Sequence, residues 1–566
     1  MMNKKIFLVA ITVVSLMAAC KKGGILDQVR TTDLNEETTF ADSARTMQFV
    51  TRLYTDIGFS ADPKRFGGAV GIYMLGDEAE GSQVGASAYN VIFQTGSVSS
   101  LNIPTDSWNI PYENIRRVNV LLKHIPTVPL SENLKKRISG EARFLRAWYY
   151  FILIKHYGGV PLVGDVVYGP TDEINKKRAT YEECVNYIEA ECNAAADLLP
   201  YTQTGLDFGR ITKGACLALK SRLLLYAASP LFNGRPEMDG VLGYPTYNAA
   251  RWEKASKAAL DVININQYNL YELADGLGFQ KVFTLRKNSE YILAAMTGNN
   301  RYLEASWDSP SRTGTGSAMP YQELVDAFGM NNGKPITDNT SGYDVSKPYV
   351  GRDPRFYWTI LHNEGKRLNI SRTVSEVYTY VSAPQDGFPL TKTGYYLRKM
   401  LDDNSIASTT SSTTERCLPL IRYAEILLNY AEAVNETGET GEAFDQLKLL
   451  RRRAGIIAGA DGNYGLKPNM EKDEMRAAIQ NERRVELAIE EHRYWDVRRW
   501  KIAENVSNKP LHGMRITRIG TTVPAVYNYE KVIIRTPVFV APKWYLWPIP
   551  QGEVNKTAEL LQNPGW

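Results

Sequence analysis

The dominant pattern along the chain is that of amphipathic helices, in which apolar residues recur every three or four positions. Within 418–436, Leu420, Ala424, Leu427 and Ala431 follow one another at intervals of 4, 3 and 4 residues and form one apolar stripe. Tyrosine and isoleucine side chains between them form a second apolar face. This favours a helix that is buried on two sides, as in a solenoid. The same pattern predicts nine helices, which cover residues 38–58, 108–125, 131–157, 180–199, 212–229, 249–266, 418–436, 440–454 and 471–500.

A short turn with two glycines joins 418–436 to the next helix, so that 418–454 is predicted to be an antiparallel hairpin. Its small residues, such as Ala431, Gly438 and Ala443, resemble the packing positions of a tetratricopeptide unit. Helix pairs in the N-terminal half recur at a similar spacing, although the repeats are degenerate. An irregular helical bundle is the alternative interpretation.

Between the helices lie long segments without helical periodicity. Three of them are rich in Gly, Ser, Thr, Asn or isolated aromatics, and they cover 77–107, 297–355 and 402–414. The segment 505–548 alternates short β-like runs, at 532–535 and 538–540, with prolines. Long irregular loops on a helical scaffold are the natural place for binding chemistry. The sequence therefore predicts a mainly α fold whose loops and short strands form the ligand-binding part.

The first 20 residues have the pattern of a bacterial lipoprotein signal. Lys4 and Lys5 precede an apolar run of 14 residues, and Cys20 follows two alanines directly. The run is too short to span a bilayer as a helix. We therefore expect residues 1–19 to be removed and Cys20 to carry the lipid, and several acyl chains would hold the protein on a membrane. A plain signal peptide with an incidental cysteine is the alternative.

The balance of charges gives the chain no overall attraction to nucleic acid, because 66 Lys and Arg side chains against 62 Asp and Glu leave a net charge of +4. The four cysteines after Cys20 are expected to be unpaired core residues. Cys184 and Cys192 are too far apart in one helix to form a disulfide. The five histidines are scattered and no Cys/His cluster exists, so neither a metal site nor a cofactor is expected.

Five sequence blocks, in order and at sensible spacing, resemble the SusD/RagB family of outer-membrane nutrient-binding lipoproteins. The resemblance extends from Cys20 to Trp566. The blocks are GEARFLRAWYYFILIKHYGGVPLV (140–163), IRYAEILLNYAEAVNE (421–436), LLRRRAG (449–455), NERRVELAIEEHRYWDVRRW (481–500) and YLWPIPQGEVNKTAELLQNPGW (545–566).

This resemblance implies a SusD-like fold with an N-terminal part at 20–270 and a C-terminal part at 271–566. It also implies a lipid-anchored protein on the outer face of the outer membrane. Such a protein captures an oligosaccharide or polysaccharide and passes it to a SusC-like TonB-dependent transporter, without being an enzyme. Lys21 and Lys22 follow Cys20 where the family often has an acidic pair, which leaves the outward orientation open.

The first group of candidate ligand residues lies in one loop, NNRYLEASWDSP (299–310). A flat indole can stack on the C–H face of a sugar, while amide, guanidinium and carboxylate groups reach its hydroxyls. Trp307 is the predicted stacking residue. The alternative is that Trp307 anchors the loop on the core. The predicted polar and aromatic partners of Trp307 are Asn300, Arg301, Tyr302 and Asp308.

The second group of candidates follows the GDEAEGSQ turn (76–83), where the resemblance places the start of the ligand loop. It consists of Asp77, Tyr89 and Trp108. Nothing in the sequence itself shows that the two loops meet, whereas the resemblance suggests that they do.

The charged helix at 481–500 looks rich enough for catalysis, but its spacing favours a structural role. Val485, Ile489, His492 and Trp495 share one face, so the histidine is predicted to pack in the apolar stripe, and the remaining charges can pair within or between helices. Two other functions stay open. One is a secreted helical glycoside hydrolase with an acid and a carboxylate around the cleaved bond. The other is a tetratricopeptide-type module that binds a protein or peptide.

Overall fold

The computed structural model describes residues 35–169, 171–408 and 414–566. The predicted signal peptide at 1–19 and the predicted lipidation site Cys20 lie outside these residues, and so do Lys21 and Lys22. Within the described part of the chain, none of the helices is long and apolar enough to cross a membrane.

Helices form most of the scaffold, and the long ones lie close to the predicted positions. In chain order they are α1 (Glu36–Phe40), α2 (Ser43–Arg52), α3 (Tyr89–Gln94), α4 (Asp106–His124), α5 (Glu132–Tyr157), α6 (Tyr181–Leu198), α7 (Lys213–Ala228), α8 (Ala250–Asn264), α9 (Leu277–Val282), α10 (Tyr302–Trp307), α11 (Gln322–Ala327), α12 (Pro354–Thr359), α13 (Tyr423–Thr437), α14 (Thr440–Arg453), α15 (Lys472–Glu486), α16 (His492–Arg499), α17 (Ala503–Val506) and α18 (Gln551–Val554).

The long helices pack side by side in a continuous row from α4 to α8, each against the next. The row continues from α8 to α13, and α13 then packs against both α14 and α15. The predicted hairpin is thus present as α13 and α14, and α13 is buried on more than one side. This order of packing is that of a solenoid, in which each helix covers its neighbours.

Local signals fix the ends of these helices. Thr180 and Glu183 form a capping box at the start of α6, since each side chain accepts a hydrogen bond from the other's backbone N–H, at 2.8 and 3.1 Å. Helix α5 ends at Gly158, whose φ of 80° lies in the region that favours glycine. A Cβ at this glycine would also lie 3.0 Å from the carbonyl oxygen of Val241, so both the backbone conformation and the limited space favour glycine here.

Most of the strands are short, and those in the described residues form two-stranded sheets. They are β1 (Ala79–Gly81), β2 (Tyr291–Met296), β3 (Ala318–Pro320), β4 (Ile360–Leu361), β5 (Gly365–Leu368), β6 (Val374–Val377), β7 (Tyr396–Leu397), β8 (Cys417–Arg422), β9 (Leu511–Ile519) and β10 (Val526–Arg535). The antiparallel pairs are β1 with β3, β2 with β8, β4 with β7, β5 with β6 and β9 with β10.

Three predicted helices differ from the structure, and each difference has a physical reason. The helix predicted over 38–58 is divided into α1 and α2, and α2 ends at Arg52. The division lies at Asp42, whose backbone is extended and whose side chain caps α2 by accepting the N–H of Arg45 at 2.8 Å. The helix predicted from residue 418 begins only at Tyr423, because 417–422 pairs as β8 with β2. The helix predicted over 471–500 is broken after Glu486. Ile489 and Glu491 adopt the left-handed conformation, with φ of 65° and 74°. Long-range contacts hold the break: the buried Glu78 carboxylate accepts the N–H of Ile489 at 2.9 Å, and the Lys399 ammonium donates to the carbonyl oxygen of Ala488 at 2.8 Å.

The segment 505–548 also differs from its prediction of isolated β-like runs. It contains the long hairpin of β9 and β10, while 538–540 is not a strand. The four cysteines at 184, 192, 216 and 417 are buried and unpaired, as predicted. One hydrophobic core contains residues from both predicted parts of the chain.

Candidate functional site

Four tyrosines form a chain of ring contacts on the surface where the β9–β10 hairpin meets the segment that follows β6. We call Tyr378, Tyr380, Tyr527 and Tyr529 the tyrosine band. The ring centroids are 5.9 Å apart for Tyr378 and Tyr380, 5.9 Å for Tyr380 and Tyr527, and 6.3 Å for Tyr527 and Tyr529. The Tyr378 side chain is 40% exposed, and the other three are half-buried. The band therefore presents aromatic faces to solvent in a row.

Strand geometry explains why these rings line up. Tyr527 and Tyr529 are two positions apart on β10 and so point to the same face of the hairpin. Tyr529 lies opposite the buried Ile516 on β9. The carbonyl oxygen of Ile516 accepts the N–H of Val381 at 2.8 Å, which ties the 374–381 segment to the hairpin. The inner end of the band is closed by Tyr349, whose ring meets that of Tyr529 edge-on at 5.6 Å.

Polar groups lie at the rim of the tyrosine band. The Tyr527 hydroxyl donates to Glu364 at 2.9 Å, and the exposed Arg518 lies directly opposite Tyr527 in the hairpin. Beneath the rim, the buried Asn363 accepts the N–H of Thr379 at 2.9 Å with its side-chain oxygen, while its amide nitrogen has no partner in the described part of the chain. The rim thus offers a cation and a carboxylate beside the aromatic faces, whereas the Asn363 amide is enclosed beneath them.

The pKa of Tyr527 and that of Tyr529 are raised to about 12, and burial is the largest cause of both shifts. For Tyr527, the hydrogen bond to Glu364 raises the pKa further. Both hydroxyls are therefore neutral near neutral pH. The Tyr529 hydroxyl can donate and accept hydrogen bonds, whereas the Tyr527 hydroxyl already donates to Glu364 and can still accept one. A row of neutral tyrosines with a polar rim suits the binding of a ligand that has apolar faces and hydroxyl edges.

The structure does not support the predicted stacking role of Trp307. Its side chain is fully buried, and its indole N–H donates to the Tyr73 hydroxyl at 2.9 Å. The rings of Trp307 and Tyr73 also meet edge-on at 5.8 Å. Trp307 thus fixes helix α10 to the core, which is the alternative that the sequence left open, and it has no accessible face for a sugar.

Two predicted carboxylates are also enclosed rather than presented to a ligand. Asp308 pairs with Arg367 at 2.9 Å, and both side chains are fully buried. Asp77 pairs with Arg484 at 2.9 Å and with Arg493 at 2.8 Å. These charges are neutralised inside the protein, so the expected contacts of Asp77 and Asp308 with a ligand do not fit their positions.

Tyr89 and Tyr302, by contrast, remain half-buried at the surface, and both contact the loop at 62–68. The Lys64 ammonium lies 4.8 Å from the centre of the Tyr302 ring, and the Phe66 ring lies 5.4 Å from that of Tyr89. Both predicted ligand loops therefore contact this one loop. Its conformation is fixed by Arg65, whose side chain pairs with Asp106 at 2.7 Å.

The remaining three candidates are divided between two places. Asn300 and Arg301 are half-buried beside Thr414 and Ala407. The N–H of Asn300 donates to the Thr414 carbonyl at 3.3 Å, and the Arg301 guanidinium to the Ala407 carbonyl at 2.7 Å. Trp108 is 6% exposed and lines a separate cleft with residues near 553–560.

The predicted structural role of the charged segment 481–500 is confirmed. Glu486 accepts from Arg422 at 2.7 Å and from Arg355 at 3.0 Å, and all three side chains are buried. The cations hold the pKa of Glu486 well below its usual range despite burial. His492 lies mostly buried, and burial holds its pKa well below its usual range.

The tyrosine band is not among the predicted site residues, although the sequence contains a signal for it. Tyr378-Thr-Tyr380 and Tyr527-Asn-Tyr529 each place two tyrosines at strand spacing in a polar stretch. Such alternation predicts aromatic residues on one face. The sequence does not show that these two stretches, almost 150 residues apart in the chain, contact each other in the folded protein.

Comparisons with known proteins identify the family of this fold. The sequence profile of the SusD family (SusD_RagB) matches residues 266–566, and a profile described as starch-binding associating with outer membrane (SusD-like_3) matches residues 75–225. SusD-like protein P2 of Formosa agariphila is 24% identical over 472 residues, which cover 81% of this chain and 80% of that relative.

Solved structures give the same answer. A SusD-like protein from Bacteroides fragilis NCTC 9343 has a TM-score of 0.76 at 28% identity, over 94% of this chain and 98% of that one. A SusD-like carbohydrate binding protein from the same strain has a TM-score of 0.71 at 23% identity, over 93% of this chain and 100% of that one. The predicted mainly α, SusD-like fold is confirmed. The second profile is described by starch binding, and the matching relatives are SusD-like proteins and not enzymes, as predicted.

Proposed function

This chain belongs to the SusD family, and we propose that it captures a glycan at the cell surface and delivers it to a SusC-like TonB-dependent transporter. In this proposal Cys20 carries the lipid that holds the protein on the outer membrane. The protein binds and releases the glycan without breaking a bond.

The observation that carries the proposal is the tyrosine band. Sugar rings have apolar C–H faces and hydroxyl edges, so they suit a row of aromatic faces with polar groups at the rim. The four rings form a continuous chain of contacts, so the site extends over several rings, as a chain of sugars would need. Glu364 and Arg518 flank Tyr527 and can exchange hydrogen bonds with hydroxyls.

The surface around the 62–68 loop is the second place where the same function could be located. It gathers Tyr89 and Tyr302, which are the two predicted aromatic candidates that remain at the surface. We favour the tyrosine band because its rings contact one another directly, whereas Tyr89 and Tyr302 are related only through Phe66 and Lys64 of the loop.

The test is calorimetric titration of the purified protein with a panel of polysaccharides. Replacing Tyr378 and Tyr527 by alanine should weaken glycan binding roughly thirtyfold, since each aromatic contact contributes about 1 kcal/mol. Tyr201→Ala, at an exposed tyrosine outside the band, is the matched control and should bind like the wild type.

Each other outcome has a definite meaning. Loss of binding in the Tyr89→Ala/Tyr302→Ala variant, with binding intact in the band variant, would move the site to the 62–68 loop. Reducing ends released during prolonged incubation would favour the hydrolase instead. If no glycan binds while the protein still co-purifies with a transporter, the chain is a protein-binding module and glycan capture is wrong.

A further inference from the structure

A cleft of about 870 Å³ opens on a part of the molecule that the tyrosine band does not use. Its walls are helix α4, residues 161–169 and 172–176, and residues 553–560 near the end of the sequence. Small-molecule sites commonly have volumes of roughly 300 to 1,000 Å³, so this cleft has the size of a binding site.

The floor of the cleft is aromatic and contains an unused hydrogen-bond donor. Trp108 is 94% buried by its packing against Tyr112 and Tyr157, whose ring centroids lie 5.1 and 5.3 Å from its own. Its indole N–H donates to no acceptor in the described part of the chain, and the nitrogen atom is not fully enclosed by the protein. The small exposed part of this side chain therefore includes a donor that a ligand in the cleft can satisfy.

The walls combine apolar and polar groups. Val166 and Ile174 are about half exposed, at 49% and 47%, and the Tyr112 hydroxyl is fixed by donating to the Pro161 carbonyl at 2.9 Å. Asn109 and Asn175 add amide groups that can both donate and accept. Such a lining suits a ligand with apolar faces and many hydroxyl groups.

The charges in the cleft are close to balanced, with three cations and four carboxylates. Two of the carboxylates are already paired, Glu113 with Arg117 at 3.3 Å and Glu553 with Lys556 at 2.8 Å. A strongly charged ligand would meet like charges on one side, so this balance favours a neutral ligand.

One wall also contains backbone amides without an acceptor. The amides of 173–178 donate to no acceptor among the residues that the structure describes, although the segment is held in place at Asn175 and Arg178. The Arg178 guanidinium donates to the Gly159 carbonyl at 2.7 Å and to Asn563 at 2.8 Å, and the Thr557 hydroxyl donates to Asn175 at 3.0 Å. A fixed segment with unused N–H groups can bind hydroxyl oxygens at little entropic cost.

We propose that this cleft is a second binding site, which takes a short neutral oligosaccharide. One sugar lies against the edge of Trp108 and the face of Tyr112, and the indole N–H donates to a hydroxyl or ring oxygen. The site is separate from the tyrosine band and does not depend on it.

The test uses neutral trisaccharides of glucose, xylose and mannose, titrated calorimetrically into the full chain. Val166→Trp fills the mouth of the cleft from an exposed position and should weaken trisaccharide binding about tenfold or more. Leu206→Trp, at a fully exposed leucine elsewhere, is the matched control and should have no effect. Trp108→Phe keeps most of the packing but removes the N–H, and we expect about a fivefold loss.

The Tyr378→Ala/Tyr527→Ala variant separates this proposal from the proposed function. Cleft binding should persist in that variant and disappear when Val166→Trp is added. The proposal is overturned if no trisaccharide binds the band variant, or if Val166→Trp binds like the wild type. If glycan binding fails at the band but persists at the cleft, the second site stands and the first must be reassigned. Binding of an extended peptide in place of every sugar would also overturn it.

Discussion

At the scale of single residues, Asp77 and Glu78 are adjacent buried carboxylates with opposite behaviour. Asp77 lies between the guanidinium groups of Arg484 and Arg493. These cations hold the pKa of Asp77 well below its usual range despite the opposing effect of burial. Glu78 accepts one backbone hydrogen bond, from Ile489, but its second oxygen is enclosed without a partner in the described part of the chain. Desolvation therefore dominates and raises the pKa of Glu78 to about 7.

Replacing Asp77 by asparagine should lower the free energy of unfolding by about 3 kcal/mol, because it leaves two buried arginines without their carboxylate. Urea denaturation at neutral pH measures this loss. Asp445→Asn, at an exposed aspartate, is the control and should stay within about 0.5 kcal/mol of the wild type. A loss as small as that of the control would contradict a structural role and reopen Asp77 as a ligand residue.

Replacing Glu78 by glutamine should raise stability at neutral and higher pH. The folded protein holds a proton on Glu78 between pH 4.5 and about 7, whereas the unfolded chain has released it. Stability attributable to Glu78 therefore falls as the pH rises through this range, by roughly 3 kcal/mol. Glutamine keeps the acceptor for Ile489 and has no charge to desolvate.

The measurement is the difference in unfolding free energy between Glu78→Gln and wild type at a series of pH values. Taking the difference matters because buried histidines act in the opposite direction. Burial holds the pKa of His156 and His492 well below the usual range, which destabilises the fold as the pH falls. A difference that does not change with pH would show that Glu78 is not protonated in the folded protein.

These residues also show why sequence analysis located candidates but not their environment. Trp307 and Asp308 have the residue types of a sugar site, and the loop around them was predicted correctly as irregular. Whether such a side chain faces solvent depends on partners far along the chain. Tyr73 lies 234 positions from Trp307, and Arg367 lies 59 positions from Asp308. Composition and local spacing contain no information on those contacts.

At the scale of elements, helix ends show where local signals suffice and where they do not. The end of α5 at Gly158 can be read from the sequence, because glycine there accepts a positive φ. The break between α15 and α16 cannot, since the segment keeps its helical periodicity through Ile489. It is imposed by Glu78 and Lys399, which belong to distant parts of the chain. The same applies to β8, whose strand pairing with β2 overrides the helical pattern from residue 418.

Helix α16 offers a stability test of one such end. Lys501 follows its last turn with a φ of 56°, its N–H donates to the Arg498 carbonyl at 2.9 Å, and its side chain is exposed. Glycine takes this conformation without strain, so Lys501→Gly should raise the free energy of unfolding by roughly 1 kcal/mol. Lys254→Gly, at an exposed position inside α8, is the matched control and should lower it by about 1 kcal/mol. Thermal or urea unfolding measures both, and changes of the same sign would contradict the assignment.

At the scale of the whole molecule, the two predicted parts at 20–270 and 271–566 are tied together at several points. Helix α8 packs against α13 across the division, and Arg222 pairs with Glu425 at 2.6 Å. The C-terminal segment returns to the N-terminal part, where the N–H of Trp547 donates to the His156 carbonyl at 2.8 Å. The interfaces between independent domains are smaller and more polar than the core of a single domain. The division at residue 270 therefore separates two stretches of the sequence that share one hydrophobic core.

This arrangement predicts one cooperative unfolding transition for the described part of the chain. Differential scanning calorimetry should give a single peak whose calorimetric and van't Hoff enthalpies agree. The fragments 20–270 and 271–566, produced separately, should lack a cooperative transition, because each exposes the apolar face that the other covers.

Arg222→Met offers a milder probe: it leaves Glu425 buried and unpaired, and it should shift the single peak by several degrees without splitting it. Two peaks in the wild type, or cooperative unfolding of either fragment, would show that the two parts are independent domains. In that case the cleft, whose walls include α4 and residues 553–560, would depend on how the domains are arranged.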